Sequence, residues 1–341
     1  MIDYTEEQIM RSWNSEKISS PLVTIWCLAY NHEAYIEQAL DSFLIQKTNF
    51  PFEIVVHDDV SSDRTAEIIR KYTEKFPSII HPIYETENQY SKQDGSLRRI
   101  KYASIKGKYV ALCEGDDYWC DETKIQRQAE ALEKNPQCSI SFCKTQCIEK
   151  SGRKRSEVIP SKDIFEEGIV TLKDLVHSEF ECGYWTFHTS GFFYRSELEL
   201  GYINIMEKEF KVFPYGDMPL QLYCLLNGKG YYIDKIQTCY RKMSGGYSSY
   251  MQKHPDAAVQ NQRYLIAGLM NFDKLSEGKF HREISVGIRR AEFKIDAMNK
   301  KAFKIFYPKY YKIGLYTQLK TFVEIVFPKI YRRLALWKHP L

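Results

Sequence analysis

Short apolar runs alternate with segments of helical spacing over the first 135 residues. Runs rich in β-branched and aromatic residues predict strands at 22–29, 53–57, 79–84 and 109–113. Apolar residues three and four apart predict helices at 31–46, 64–76 and 122–134, the first of them capped by Asn31. Strands that alternate with helices of this length indicate βαβ units. The pattern therefore predicts an α/β fold with a mostly parallel sheet flanked by helices.

The regular alternation weakens after about residue 150 and gives way to helices after about residue 250. Strands are expected at 190–194 and 231–240, with a helix at 218–226 between them. Beyond Ser249 the pattern is helical, and Pro308 and Pro328 break it into segments. We therefore expect an N-terminal extension at 1–20, a main domain at 21–250 with halves at about 21–150 and 151–250, and a helical extension at 251–341.

The composition excludes a disordered or fibrous chain, because 44% of the 341 residues are hydrophobic and 27% are charged. The net charge is only +4, but residues 281–341 hold 14 Lys and Arg against 4 Asp and Glu. The sequence contains neither a secretory signal nor an apolar stretch of the roughly 18–20 residues that span a bilayer. We therefore expect a cytoplasmic protein whose basic C-terminal part meets an anionic partner.

Acidic residues follow two of the predicted strands directly. Asp58 and Asp59 come after strand 53–57, and Glu114, Asp116 and Asp117 come after strand 109–113. The carboxyl ends of parallel strands line one crevice, where such sheets bind their ligands. Carboxylates at this density repel one another unless a cation compensates, and hard oxygen ligands suit Mg²⁺ or Mn²⁺. The two clusters therefore predict a cation site at this edge of the sheet.

Helix capping is the structural alternative for these acids. Asp63 stands one residue before helix 64–76 and has good N-cap chemistry, and Asp58 and Asp59 are candidates for the same role. Capping explains Asp116 and Asp117 poorly, because four polar positions follow five apolar ones directly. The cation-binding interpretation is therefore strongest for the second cluster.

Four separated motifs resemble glycosyltransferase family 2, whose members have the GT-A fold. They are TIWCLAYNHEAYIEQALDSFLIQ, EIVVHDDVSSDRT, GKYVALCEGDDYW and YGDMPLQLY, which follow the family's order between about residues 20 and 245. Within the family the chain looks most like bacterial enzymes that build surface polysaccharides. The resemblance implies a GT-A-type, Rossmann-like catalytic domain, in which 21–150 is the nucleotide-sugar half and 151–250 the acceptor half.

The resemblance also implies a nucleotide-sugar site. Ala29 and Tyr30 match the segment that lines the nucleotide base, and Asp59 matches the acid that contacts uracil in UDP-using members. Glu114, Asp116 and Asp117 match the D-x-D-type motif, in which Asp116 and Asp117 are the expected contacts to the ribose, the metal and the diphosphate. A UDP-sugar is therefore the expected donor.

Catalytic roles follow from the same resemblance. Asp116 and Asp117 are the implied ligands of a divalent cation, Mn²⁺ or Mg²⁺, which neutralises the departing diphosphate. Asp217 matches the catalytic base of inverting members, which takes a proton from the attacking hydroxyl. The structural alternative for Asp217 is an N-cap on the helix that begins at Met218.

Two positions depart from the family pattern. Met243 stands where some close relatives carry a histidine that approaches the metal, and methionine is a poor ligand for Mg²⁺ or Mn²⁺. Arg241 or Lys242 is then expected to meet the diphosphate directly. Val60 replaces the usual glycine after the paired acids, so the loop after the second strand is expected to bend differently.

Two ring-bearing side chains in the segment WTFHTSGFFY have open roles. His188 is expected near the donor sugar or the acceptor, although a lone histidine is often structural. Trp185 is expected either to stack on a sugar or to pack against the protein. The sequence leaves both alternatives open.

The C-terminal segment 297–341 combines ten Lys and Arg with one acid, Glu324, and many aromatic residues. This composition is typical of an amphipathic helix at a membrane interface. An anionic membrane surface is therefore an expected partner, on the inner face of the plasma membrane, where a lipid-linked acceptor would be met. The alternatives are a helical appendage packed on the catalytic domain and a homodimer contact. No nucleic acid is expected, because a basic face alone does not read bases.

The expected function is that of an inverting, metal-dependent glycosyltransferase in bacterial surface polysaccharide synthesis. Its donor would be a nucleotide-sugar, and its acceptor a glycan or a lipid-linked sugar. One alternative is a sugar nucleotidyltransferase, which the loop AYNHEAY disfavours because it lacks the glycines of a phosphate loop. The other alternative is a catalytically silent scaffold subunit at the membrane.

Overall fold

The computed structural model describes residues 3–13, 20–161, 164–243, 247–328 and 331. The strands in this part of the chain are β1 (Val23–Ala29), β2 (Phe52–Asp58), β3 (Ile80–Tyr84), β4 (Tyr109–Glu114), β5 (Tyr118–Trp119), β6 (Cys138–Glu149), β7 (Lys154–Ile159), β8 (Gly168–Val170), β9 (Phe193–Arg195) and β10 (Lys229–Lys242). They form a single sheet among the described residues, in the order β3-β2-β1-β4-β9-β6-β10-β5, with β7 beside β6 and β8 beside β10.

Helices connect and cover these strands. They are α1 (Glu6–Met10), α2 (Ile36–Leu44), α3 (Thr65–Lys75), α4 (Gln89–Lys92), α5 (Ser96–Ser104), α6 (Lys124–Lys134), α7 (Leu172–Val176), α8 (Glu199–Lys208), α9 (Asp217–Leu226), α10 (Tyr247–Lys253), α11 (Pro255–Leu275), α12 (His281–Met298) and α13 (Leu315–Val326). Every residue of β2 is buried, as expected for a strand covered on both faces.

The predicted α/β fold is confirmed, and the sheet is mixed rather than purely parallel. Strands β3, β2, β1 and β4 pair in parallel in that order, and β6 pairs in parallel with β10. The short strand β9 lies between β4 and β6 and is antiparallel to both, and β5, β7 and β8 also pair antiparallel. A strand of two or three residues, such as β5, β8 or β9, is too short to show a hydrophobic period. The period also does not tell whether a strand is parallel or antiparallel to its neighbour.

Two predicted elements have wrong boundaries. The helix expected from Asn31 begins only at Ile36, because Asn31 has a φ of 55° and its side-chain oxygen accepts from Ser62 N at 2.8 Å. Its amide side chain is therefore spent on the neighbouring loop and does not cap α2. The strand expected at 190–194 is a 3₁₀ turn at Thr189–Gly191 followed by β9.

Val60 also takes the left-handed conformation, with a φ of 65°. This conformation favours glycine, and a β-branched residue there is strained by about 1–3 kcal/mol. The loop after β2 therefore keeps the bend that glycine would allow, although its side chain does not favour it.

The chain divides into two compact units. Unit 1 comprises Met1–Leu172, Trp185–Lys208 and Asp217–Met243, and it contains all ten strands of the described residues. Its core includes Ile25, Phe43, Ile54 and Trp119, none more than 1% exposed.

Unit 2 comprises Lys173–Tyr184, Glu209–Gly216 and Ser244–Leu341. The two short segments join the helices predicted beyond residue 250, and Phe293, Ile305 and Tyr310 form a small buried cluster within the unit. No helix in the described part of the chain is both long and apolar enough to span a membrane.

Candidate active site

The loops after β1 and β2 are tied together at the carboxyl end of the sheet. Asn31 N donates to Ser61 Oγ at 2.9 Å, and Ser62 N donates to Asn31 Oδ1 at 2.8 Å. Asp63 accepts from Glu33 N at 3.0 Å with its second carboxylate oxygen, so it bridges the same two loops. These hydrogen bonds therefore hold the two loops together, and Asp63 has a structural role.

Asp59 follows β2 directly, and its carboxylate is turned into the protein. It is 1% exposed, and its two carboxylate oxygens accept from Gln89 N at 2.6 Å and Tyr90 N at 3.0 Å. Its backbone N–H donates to Ala29 O at 3.0 Å, which joins the ends of β1 and β2. Tyr30, directly after β1, is 49% exposed. A contact from Asp59 to a base stays a prediction, and it would have to share a carboxylate that already caps α4.

The turn after β4 requires the glycine at position 115. Gly115 N donates to Leu28 O at 2.9 Å, which draws the turn against the end of β1. A Cβ at position 115 would lie 2.8 Å from His32 Nδ1 and 3.0 Å from Ile36 Cδ1. The missing Cβ lets the turn lie close to His32 and Ile36, and a side chain here would require these two side chains to shift.

Glu114, Asp116 and Asp217 lie close enough for the charges of the two aspartates to act on Glu114, and we call the space between the three acids the crevice. Enclosure by the crevice walls raises the pKa of Glu114 to about 8, and the charges of Asp116 and Asp217 add to this rise. Glu114 reaches solvent on one side, so the crevice is open. Asp116 and Asp217 thus interact electrostatically with Glu114, and the binding of a ligand by these acids stays a prediction.

Asp217 is the first residue of α9 and is partly exposed. Burial raises the pKa of Asp217, and a hydrogen bond of 2.8 Å from Met218 N to its Oδ1 opposes the rise. The side chain therefore holds the start of the helix and still borders the crevice. A carboxylate with a raised pKa is also a better proton acceptor.

Asp117 differs from its neighbour Asp116, because protein groups occupy both of its oxygens. Ser190 Oγ donates to Asp117 Oδ2 at 2.6 Å, and Arg241 N donates to Oδ1 at 2.8 Å. Burial, Asp116 and Glu114 together raise the pKa of Asp117 well above its usual value, and the hydrogen bonds offset this only in part. Asp117 thus ties the turn after β4 to β10.

His188 lies directly behind this tie. Its Nδ1 is 2.7 Å from Ser190 Oγ and 3.7 Å from Asp117 Oδ2, and the residue is 6% exposed. Burial and the nearby Lys242 lower the pKa of His188 to about 3, so the ring is neutral. The imidazole therefore supports Asp117 through Ser190 in this structure.

The guanidinium of Arg241 is turned into the protein. It donates to the carbonyls of Asp116 at 3.0 Å and Lys150 at 3.1 Å, and to Gln38 Oε1 at 2.7 Å. The residue is only 3% exposed. The predicted contact of Arg241 with a diphosphate stays a prediction, and it would require these hydrogen bonds to be exchanged.

Arg98, on α5, is a candidate cation that the sequence pattern did not single out. Its Nε is buried and has no hydrogen-bond partner among the described residues. Burial raises the pKa of Tyr202, the Arg98 guanidinium lowers it, and the Asp217 carboxylate raises it, so both charges act on this ring. Two adjacent arginines on an amphipathic helix gave no signal, because such residues usually face solvent.

The donor set suits a cation that is shared with a substrate. Among the described residues, no group of three or more His, Cys, Asp or Glu side chains could hold a metal ion by itself. Asp116 is partly exposed, and its Oδ2 lies 4.0 Å from His32 Nε2. A single partly exposed carboxylate suits Mg²⁺, which binds one or two protein carboxylates and takes its other ligands from water and phosphates. Met243, partly exposed at the end of β10, adds no suitable ligand.

Comparison with known proteins identifies the class. The chain resembles residues 1–349 of S. aureus TarS, solved in complex with UDP-GlcNAc, with a TM-score of 0.56 and 19% identity over 90% of this chain and 82% of that one. This likeness confirms the predicted GT-A-like fold. Residues 24–190 match the family model of Glycosyl transferase family 2, the family that the motifs resemble.

Curated relatives match shorter stretches of the chain. An uncharacterized protein of Mycobacterium tuberculosis, Rv1520, is 37% identical over 140 residues, which are 40% of this chain and 39% of that protein. The Escherichia coli UDP-Glc:alpha-D-GlcNAc-diphosphoundecaprenol beta-1,3-glucosyltransferase WfaP is 35% identical over 112 residues, which are 33% of this chain and 41% of that protein. The chain thus spans about two fifths of the length of the curated relatives it matches.

Proposed function

We propose that this protein is an inverting glycosyltransferase that moves a sugar from a UDP-sugar to a glycan or a lipid-linked sugar in bacterial surface polysaccharide synthesis. The observation that carries the proposal is that the charges of Asp116 and Asp217 both act on Glu114, which ends β4 within the stretch that matches family 2. Carboxylates gather in this way where a cation and a polyphosphate are bound.

The relatives support the choice of donor and acceptor. WfaP is named for a UDP-glucose donor and a sugar linked to diphosphoundecaprenol, and TarS has been solved with UDP-GlcNAc. We infer the same chemical classes for this chain. A nucleoside diphosphate donor that is bound through a divalent cation would account for the acidic crevice. A lipid-linked acceptor would account for the exposed aromatic residues of unit 2.

Asp217 is proposed as the general base. It would take the proton of the acceptor hydroxyl as that oxygen attacks the anomeric carbon and the diphosphate leaves from the opposite face. The reaction is a single displacement at the anomeric carbon, so the configuration of that carbon inverts. General-base help of this kind is worth about 10²–10⁴-fold in rate. The raised pKa of Asp217 suits this role, because it makes the carboxylate a stronger base near neutral pH.

Asp116 is proposed as the protein ligand of Mn²⁺ or Mg²⁺, with the diphosphate supplying further oxygens. The cation would act as a Lewis acid and neutralise charge on the leaving group. Asp117 has both oxygens engaged, so we assign it to holding the turn that presents Asp116. Arg98 is proposed to approach the diphosphate, since its buried Nε has no hydrogen-bond partner in the described residues.

The C-terminal helices are proposed to rest on an anionic membrane surface. Large apolar side chains are unusually exposed there: Phe303 is 80% exposed, Tyr316 70% and Leu315 64%. Exposed aromatic residues among lysines are typical of interfacial segments. This part of the proposal extends only to residue 331, because the rest of segment 297–341 lies outside the described residues.

The reaction is tested with the full chain, UDP-glucose or UDP-GlcNAc, Mn²⁺ and farnesyl-diphosphoryl GlcNAc as the acceptor. We expect UDP release with inversion of the anomeric configuration in the product, seen by NMR. Asp217→Asn and Asp116→Asn should lower kcat by at least about 100-fold, while the exposed Asp256→Asn on α11 should not. Undiminished transfer by either crevice variant would show that the roles are misassigned, and absence of UDP binding would remove the function.

Membrane binding is tested by flotation with phosphatidylglycerol-rich vesicles and with neutral phosphatidylcholine vesicles. We expect binding to the anionic vesicles only, and loss of binding in a Phe303→Ser, Tyr316→Ser double variant. Leu200→Ser is the control, because Leu200 is 52% exposed on α8 of unit 1. Equal binding by the double variant and the wild type would contradict the membrane proposal and leave the transferase proposal standing.

A further inference from the structure

Trp185 forms a fixed and exposed shelf beside the acidic crevice. Its indole N–H donates to Phe187 O at 3.0 Å, and its ring meets the rings of His188 and Tyr240 edge-on, at centroid distances of 5.6 Å and 5.7 Å. In spite of these contacts, Trp185 remains 39% exposed. A tryptophan held in one orientation and left open to solvent is a preformed surface for an apolar ligand face.

His188 and Tyr240 connect the shelf to the turn after β4. His188 packs on Tyr240 at 4.0 Å between centroids, and His188 Nδ1 lies 3.7 Å from Asp117 Oδ2. Tyr240 also precedes Arg241, whose backbone N–H donates to Asp117. A ligand on Trp185 would therefore lie next to the turn that presents Asp116, on the β10 side.

Lys242 supplies a positive charge on the same shelf. Its Nζ is 5.1 Å from the ring centroid of Trp185 and 5.0 Å from that of Tyr240. Its ion pair with Glu157 Oε1 has a distance of 3.4 Å, with both side chains open to solvent. Exposed pairs of this kind are weak, so Lys242 can exchange Glu157 for a ligand oxygen at little cost.

We propose that Trp185 and Lys242 form a subsite for the acceptor, and that they select a pyranose that carries a phosphate. The indole face would cover the C–H face of the sugar, and the ammonium group would bind a phosphate oxygen. This inference rests on the proposed function and adds the chemical class of the acceptor. The phosphate belongs either to a free sugar phosphate or to a lipid diphosphate, and both present the same chemistry to Lys242.

Binding to the full chain saturated with UDP and Mn²⁺ tests the subsite. The probes are GlcNAc, GlcNAc 1-phosphate and farnesyl-diphosphoryl GlcNAc, with dissociation constants measured by tryptophan fluorescence and saturation-transfer NMR. We expect the phosphorylated probes to bind at least about tenfold more tightly than GlcNAc. Tighter binding of the farnesyl probe would identify the lipid diphosphate as the source, and equal binding would identify the free sugar phosphate.

Variants separate the subsite from the donor site. Trp185→Ala should weaken both phosphorylated probes at least about tenfold, Trp185→Phe should retain most binding, and Lys242→Met should abolish the preference for phosphate. UDP affinity should stay within about twofold in all three. Tyr264→Ala is the control, since Tyr264 is 47% exposed on α11.

Several results would overturn the inference. Equal binding of GlcNAc and its phosphate, or unchanged affinity in Trp185→Ala, would remove the subsite. Loss of UDP binding in both Trp185 variants, or in Lys242→Met, would assign these side chains to the donor or to folding instead. Failure of the wild-type chain to bind UDP at all would refute the proposed function, and it is measured separately.

Discussion

Replacing Lys124 by methionine should raise the stability of the protein at neutral pH. Lys124 begins α6 and is 0% exposed, yet it forms no ion pair within the described residues. Its Nζ donates to Gln128 Oε1 at 2.7 Å and lies 4.2 Å from the ring centroid of Trp119. Burial lowers the pKa of Lys124 from 10.5 to about 8, because the ammonium group loses its water.

The size of the effect follows from that lowering. One pKa unit corresponds to about 1.4 kcal/mol, so the buried charge costs about 3 kcal/mol of folding free energy at pH 7. Methionine removes this cost but leaves Gln128 Oε1 without its donor, which costs about 1–2 kcal/mol. The net gain at pH 7 is therefore about 1–2 kcal/mol.

The sign changes with pH. Between the folded value near 8 and the unfolded value of 10.5, the unfolded chain binds a proton that the folded chain has released. Wild-type stability therefore rises with pH in this window, as the cost of the buried charge disappears. The methionine variant lacks this rise, so it should become the less stable protein near pH 10.5.

Urea unfolding of both proteins at pH 7, 8, 9 and 10 measures this difference. The stability advantage of the variant should fall by about 2–3 kcal/mol between pH 7 and pH 10. Other groups that titrate in this range cancel in the comparison. A variant that is less stable than wild type at pH 7, or a difference that does not depend on pH, would refute the account of Lys124 as a penalised buried cation.

Three further changes probe the crevice and its support. Gly115→Ala should weaken UDP binding at least about tenfold in calorimetry, because its Cβ would lie 2.8 Å from His32 Nδ1; unchanged affinity would show that the turn tolerates a side chain. Arg98→Ala should raise the dissociation constant of UDP about tenfold and lower the urea midpoint little, since its Nε has no hydrogen-bond partner in the described residues; equal affinity would place Arg98 outside the donor site. Burial opposes ionisation of Asp121, but hydrogen bonds from Lys235, Gln237 and Thr123 outweigh it and hold the pKa of Asp121 well below its usual value. Asp121→Asn should therefore cost about 1–3 kcal/mol at pH 7, and this difference should fade as the pH falls below about 4, where wild type loses the same stabilisation; a cost that stays constant down to pH 2 would contradict this.

The hydrophobic pattern predicted the strands at the centre of the sheet and the acids that follow them. Strands β1, β2 and β4 lie within a residue or two of the predicted positions. Glu114 and Asp116 stand at a strand end because apolar residues stop there and polar ones begin. The end of such an apolar run can be seen in the sequence alone. Five successive buried residues require a strand that is covered on both faces, whatever its place in the sheet.

The sequence did not predict which acids would be free. Asp116 and Asp117 are neighbours of the same residue type, yet only Asp117 is bound by Ser190 and Arg241, which lie 73 and 124 residues away along the chain. Likewise, Asp59 resembles an exposed ligand in sequence, but it caps α4 in the structure. Partners so distant in sequence leave no period in the pattern.

The sequence by itself indicated the α/β class, the resemblance to glycosyltransferase family 2 and the acids that follow the strands. The tertiary structure alone decided the mixed sheet, the acids that are held by hydrogen bonds from the protein and the inward turn of the Arg241 guanidinium. The physical reason is that periodicity records only whether a residue is buried by its own element. The charge interactions and hydrogen bonds of a side chain depend on groups that the fold brings together from far along the chain.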